Sequence, residues 1–208
     1  MRLAVGLVAT VAVAILLLVR ASRTKARNKM KDWRGLQQLY FDVALQYHVS
    51  ARFAAISGLL PVSGNLFHHA LEMYLKGYFC KDLNEAQLRN LGHNLRKLWR
   101  RFKAEVADSS FNQFDNAIAQ LDRFERIRYP EEIERLGLRA SIGFKKGDVA
   151  VNTTSKSQEP TYELTIDDLD ALAKVIMEKS RTNPKFFTSR LKGDTLTYLQ
   201  QQNKAVIW

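Results

Sequence analysis

The sequence predicts a mainly α fold: an up-and-down bundle of four to five helices with an irregular or small-hairpin insertion, preceded by one transmembrane helix. Three observations predict it. Apolar residues recur at three- and four-residue steps through four stretches between residues 33 and 130. Breakers such as "LLPVSGN" and "RYP" fall between those stretches. Residues 3–19, "LAVGLVATVAVAILLLV", carry no charge and no proline.

The apolar stretch comes first in the chain. Seventeen residues at 1.5 Å rise span roughly 26 Å, close to the thickness of a hydrocarbon core. Arg20, Arg23, Lys25, Arg27, Lys29 and Lys31 follow it, with no acidic residue among them. The positive-inside rule then places the N-terminus outside and the bulk of the chain in the cytoplasm, as a single-pass membrane protein. Residues 1–22 read as the anchor and 23–32 as a basic juxtamembrane segment. A cleavable signal peptide is the rival reading, and the six basic residues directly after the stretch oppose it. The net charge of +11 is largely a property of this flank. Residues 1–31 hold seven basic side chains and no acidic ones, leaving 25 basic against 21 acidic in the remainder. The overall charge is therefore no signature of nucleic-acid binding by the domain.

The domain reads as residues 33–182. Leu36, Leu39, Tyr40, Val43, Tyr47, Val49 and Phe53 pattern a first helix from Trp33 to about Leu59. Ser63 is a plausible cap for a second helix reaching Cys80. "NEAQ" at Asn84 has capping-box spacing and opens a third helical stretch, broken at Gly92 and resumed as "HNLRKLWRRFKAEV". "SFNQ" from Ser110 repeats the spacing before a fourth helix with Phe114, Ala117, Ile118, Leu121 and Phe124 on one face. Pro130 disfavours helical backbone at Tyr129 and ends it. Residues 138–164 mix short apolar alternation with "KKGD" and a polar run, an irregular connection with room for a hairpin. Thr165 caps a closing helix, whose acidic first turn suits the positive end of its dipole. Residues 183–208 read as a tail with one further short helix.

The four histidines and the single cysteine, Cys80, limit the chemistry. One cysteine excludes an intrachain disulfide or a multi-cysteine zinc site and fits a reducing compartment. In "FHHALEMYLKGYF" a helical wheel puts Phe67, Ala70, Leu71, Tyr74 and Tyr78 in the core, with His68 and Glu72 on its border. His69 and Lys76 fall on the opposite side. His68 and Glu72 have the spacing to share a metal ion, but no third ligand stands in register, so they read as a structural pair and no metal is expected. His48 on the first helix joins them only if the fold brings it near. No cofactor is implied.

The third helix sets Leu91, Leu95, Leu98, Trp99, Phe102 and Val106 on one face. Arg96, Arg100 and Lys103 form the stripe beside it, and His93 lies next to that stripe. Such a stripe can hold a phosphate, and it can equally be a solvated helix face.

In order along the chain, the amphipathic first helix, "HHALEMYLKGYF" with Ala70, Glu72 and Lys76, "LGHNLRKLW", and "RIRYP" resemble the HEPN domain, the "higher eukaryotes and prokaryotes nucleotide-binding" module. The resemblance covers about residues 36 to 181. It implies a helical bundle that binds RNA, a nucleotide or a partner protein, often as a homodimer. Many members of that family are ribonucleases bearing arginine, four to six residues, then histidine. Here Arg123, Arg126 and Arg128 are followed by no histidine, so the resemblance points to a non-catalytic module. If the chain is an enzyme after all, the candidates are His93 with Arg126 and Arg128. A membrane-associated interaction protein with no nucleic-acid ligand is the third reading.

Overall fold

The computed structural model describes residues 33–144, 149–153, 161–185 and 189–201. A helix over residues 33–56 (α1) is followed by α2 (Leu60–Phe79), α3 (Glu85–Asn90), α4 (Leu95–Val106) and α5 (Asp115–Phe124). Next come α6 (Pro130–Leu136), three short strands β1 (Arg139–Gly143), β2 (Val149–Thr153) and β3 (Thr161–Thr165), α7 (Ile166–Lys179) and α8 (Asp194–Gln201). The expected helical bundle is present.

α2 is its axle. It packs against α4, α5, α7 and β1 at once, and a helix contacted on every side must be apolar or paired all round. Phe67, Ala70, Leu71, Tyr74 and Leu75 are wholly buried. Two glycines set how closely its neighbours approach. A Cβ on Gly64 would lie 2.6 Å from Phe124 Cε1, and one on Gly77 would lie 2.5 Å from Phe41 Cε1. Both rings therefore occupy the space that any side chain would need. The predicted core residues Leu71, Tyr74, Leu98, Phe102, Leu121 and Phe124 are all buried in a single cluster. Leu98→Ala should accordingly cost roughly 2–5 kcal/mol. Urea denaturation reads this, and an unchanged midpoint would show that Leu98 contributes nothing to the core.

α1 turns a different face inward from the one its large apolar residues suggest. Phe41, Ala44, Leu45, His48, Ala51, Arg52 and Ala55 are buried, whereas Leu39, Val43, Tyr47 and Phe53 are exposed by 37–63%. The small alanines let α1 lie close to α2, where Phe41 meets Gly77, and the buried polar pair finds a carboxylate on α7.

Helix ends also differ from expectation. α2 starts at Leu60, with Pro61 in its first turn. Ser63 lies inside the helix and donates to the Ala51 carbonyl at 2.8 Å rather than capping. Asn84 does form the capping box with Gln87. Asp108 takes the cap assigned to Ser110, accepting from the Ser110 amide, and a 3-10 turn precedes α5. Pro130 both closes the preceding segment and opens α6, where its missing N–H costs nothing. The anticipated hairpin is β1–β2. The stretch after it adds β3, parallel to β1, giving the order β2-β1-β3. Thr165 stands at the start of α7 without a side-chain capping bond.

Described residues past 182 pack on the bundle: Leu199 is buried, Tyr198 stacks on Phe53 at 4.6 Å, and Arg190 pairs with Asp42 at 2.5 Å. The single-pass membrane location is corrected, because no helix among the described residues is long and apolar enough to cross a membrane. The stretch that suggested an anchor, residues 1–22, and the basic segment 23–32 lie outside the described residues.

Candidate functional site

The polar chemistry of the bundle gathers around Glu72. Its place mid-way along α2 buries the carboxylate completely, yet three basic groups reach it. Lys76, one turn on, donates to Oε1 at 2.7 Å. His93 donates its Nδ1–H to the carboxylate, with the two oxygens at 3.1 and 3.2 Å. His69 Nδ1 stands 3.9 Å from Oε2. Burial alone would push the carboxyl up, but the nearby His69 ring and the hydrogen bonds from Lys76 and His93 hold it down at about 2. The Glu72 carboxylate beside it in turn raises His69 above its ordinary value, against the opposing effect of its burial.

His93 is brought here by backbone geometry. Gly92, at φ 68°, takes the left-handed conformation that ends the third stretch. Asn94 then accepts from the Lys97 amide at 2.7 Å and caps α4. Between them the His93 side chain projects outward, 75% exposed, with Nδ1 on Glu72 and Nε2 left for solvent.

The expected pair of His68 and Glu72 divides. His68 is fully buried and reaches two backbone carbonyls, Leu121 from Nδ1 at 3.2 Å and His93 from Nε2 at 3.1 Å. It pins α5 and the turn before α4 to α2. The helical wheel treated α2 as one-sided and missed that its far side is covered too, so Lys76 is buried rather than solvated. His69 has the Tyr47 ring of α1 beside it at 5.6 Å.

Of the predicted stripe, Lys103 is held by Asp115 at 2.7 Å and Asn112 at 2.9 Å, and Arg96 faces Asp122 at 3.9 Å. Arg100 and Lys97 are exposed. Arg123 in the last turn of α5, and Arg126 and Arg128 after it, make separate contacts. Arg123 lies over the Tyr162 ring at 4.7 Å, and Arg126 acts on the same phenol electrostatically. Arg128 pairs with Glu125 at 2.9 Å and bonds the Tyr129 hydroxyl at 2.7 Å.

A second buried ionic cluster lies between α1 and α7, and sequence reasoning missed it. His48 Nε2 lies 2.6 Å from Asp170 Oδ1, and Arg52 donates to Asp170 Oδ2. Arg52 is completely buried, with Nε and Nη2 without a hydrogen-bond partner and the Phe144 ring against its guanidinium. The buried Tyr74 phenol is pushed up by its burial and then by the Asp170 charge. The four-residue spacing of His48 and Arg52 was a visible signal, since it puts both on one helix face.

Among the described residues no group of histidine, cysteine and carboxylate side chains could hold a metal ion. Cys80 is buried, and burial pushes its thiol up to about 12, leaving it protonated near neutrality. No family model matches the sequence, and neither a curated protein nor a solved structure matches it.

Proposed function

We propose that this chain is a HEPN-like helical module that binds a phosphate of RNA or of a nucleotide beside His93, without cleaving it. One observation carries the reading. The first turn of α4 holds Arg96 and Lys97 and no acidic residue, although the positive end of a helix dipole favours acids. His93 lies directly before this turn and Arg100 one turn further on. Cations crowded at the positive end of a helix favour an anion there. Of the arginines that a relocated ribonuclease would use, Arg128 is engaged with Glu125 and Tyr129 instead.

Arg96→Gln combined with Arg100→Gln should weaken binding of a short single-stranded RNA about tenfold, with the melting temperature kept. Binding by the unaltered chain should decline steadily with added salt. If the unaltered chain binds neither RNA nor a nucleotide, the reading fails. Light scattering on the same sample tests the homodimer that the resemblance implies, for which Leu39, Val43 and Tyr47 offer an exposed apolar stripe on α1. A monomeric mass at every concentration would remove that part.

The second reading, phosphodiester cleavage, is favoured by the Glu72–His93 bond. A carboxylate on Nδ1 fixes the ring and leaves Nε2 to exchange a proton. RNA cleavage that is lost in His93→Ala while the fold is retained would replace the binding reading with this one.

A further inference from the structure

Two concavities meet at Trp33 and Lys81, on a part of the surface made by α1, the end of α2 and the end of α7. The larger, about 700 Å³, is lined by the cations Arg34, Lys81, Lys179 and Arg181 and, among the described residues, by no carboxylate. The smaller, about 300 Å³, has apolar walls from Leu36, Cys80 and Leu83 beside the amides of Asn84 and Gln87, with Asp82 and Glu85 also in its lining. The capping box uses both amide oxygens, which leaves their NH2 groups as donors.

Helix dipoles account for part of this charge. Lys81 follows the C-terminus of α2, and Lys179 and Arg181 stand at that of α7, where cations are favoured. Lys81 has Asp82 at 3.5 Å and Lys179 has Asp108 at 3.4 Å. Arg34 is different, for its guanidinium lies over the Trp33 ring at 5.5 Å and has no ion pair among the described residues.

Arg181 is the informative residue. The Thr182 amide donates to Met177 O at 3.0 Å and the Arg181 amide to Glu178 O at 2.9 Å. This is the Schellman pattern, and Arg181 fills its left-handed position at φ 57°. Glycine is the residue usually found there, and an L side chain costs about 1 kcal/mol or more in that conformation. An exposed arginine at a position that glycine usually fills, with no carboxylate partner among the described residues, points to a use for its side chain outside the fold.

We propose that the larger concavity is a binding site for a di- or triphosphate group, held by Arg34 and Arg181 and screened by Lys81 and Lys179. Guanidinium forks match phosphate oxygens in pairs. The group can belong to an inorganic polyphosphate or to a nucleoside phosphate. In the second case the planar base has Trp33 and the smaller concavity beside it.

The site is separate from the edge at His93. The full chain is titrated at low salt with inorganic tripolyphosphate and, separately, with a nucleoside triphosphate, by calorimetry. Saturable binding of at least one is expected, weakened about tenfold by Arg181→Gly. Because glycine relieves the backbone at that position, the variant should melt at the same temperature or higher, so lost binding cannot come from lost folding. Arg34→Gln should act in the same direction, whereas Arg135→Gln, which removes an equal charge from α6, should leave this binding unchanged. Tighter binding of the nucleoside form identifies a nucleotide as the source, and equal binding identifies the bare phosphate chain. Absence of saturable binding by either probe, or binding untouched by Arg181→Gly, overturns the proposal. Binding that Arg100→Gln abolishes while Arg181→Gly spares it also overturns it, and returns the anion to the α4 edge.

Discussion

An Asp170→Ala chain is expected to lose about 3–5 kcal/mol of folding stability. Asp170 is the carboxylate for His48 and Arg52, and all three are buried to within 1%. Removing it strands a guanidinium in the core, and that group has already left Nε and Nη2 without acceptors. Arginine cannot escape by losing its proton, so the domain must either admit water or unfold. Replacing the whole cluster by apolar residues of similar volume should be far milder, because the penalty comes from an unpaired charge and not from lost attraction. Equilibrium urea denaturation reads the difference. A loss below about 1 kcal/mol would mean that water already solvates Arg52.

Glu72→Ala should cost a similar amount, about 3–5 kcal/mol, since Lys76 is buried beside it. Here pH gives an independent measure. The Glu72 carboxyl falls from an ordinary value of 4.5 to about 2 on folding. Its stabilisation is therefore fully present above pH 4.5 and disappears as pH falls from 4.5 through 2. His69 has the opposite sign. Its folded value is raised, so its contribution is present below 6.5 and fades as pH rises through the folded value. The unaltered chain should lose stability on acidification from pH 4.5 toward 2, and Glu72→Ala should flatten that limb. An equally steep acid limb in the variant would assign the acid sensitivity to other carboxylates.

The helices whose apolar stripe faces the core were legible in the sequence. The face of α4 through Leu98 and Phe102 and that of α5 through Leu121 and Phe124 follow the 3.6-residue period. α1 was misread because Leu39, Val43 and Phe53 lie outside. The inward face sets Phe41 and Leu45 among alanines and two polar side chains, His48 and Arg52, which hydrophobicity alone scores as solvent-facing. Its partner, Asp170, lies 118 residues from Arg52, and no local rule connects them. β3 was hidden for a related reason: "TYELT" alternates over only five residues, and its pairing with β1 is non-local. Around Glu72 the wheel found the right residues and the wrong partners. The covering elements, α5 and the turn at His93, convert an apparent outer side into a buried one.

The distance along the chain between Arg52 and its carboxylate also orders events in time. A ribosome delivers the chain from the N-terminus, so His48 and Arg52 emerge 122 and 118 residues before Asp170. Over that interval α1 and α2 can meet only by burying a cation that has no counter-ion, which favours keeping the contact open to water. A part of the domain made late supplies the charge that lets the first part close, which favours a nascent bundle that stays unsealed until α7 arrives.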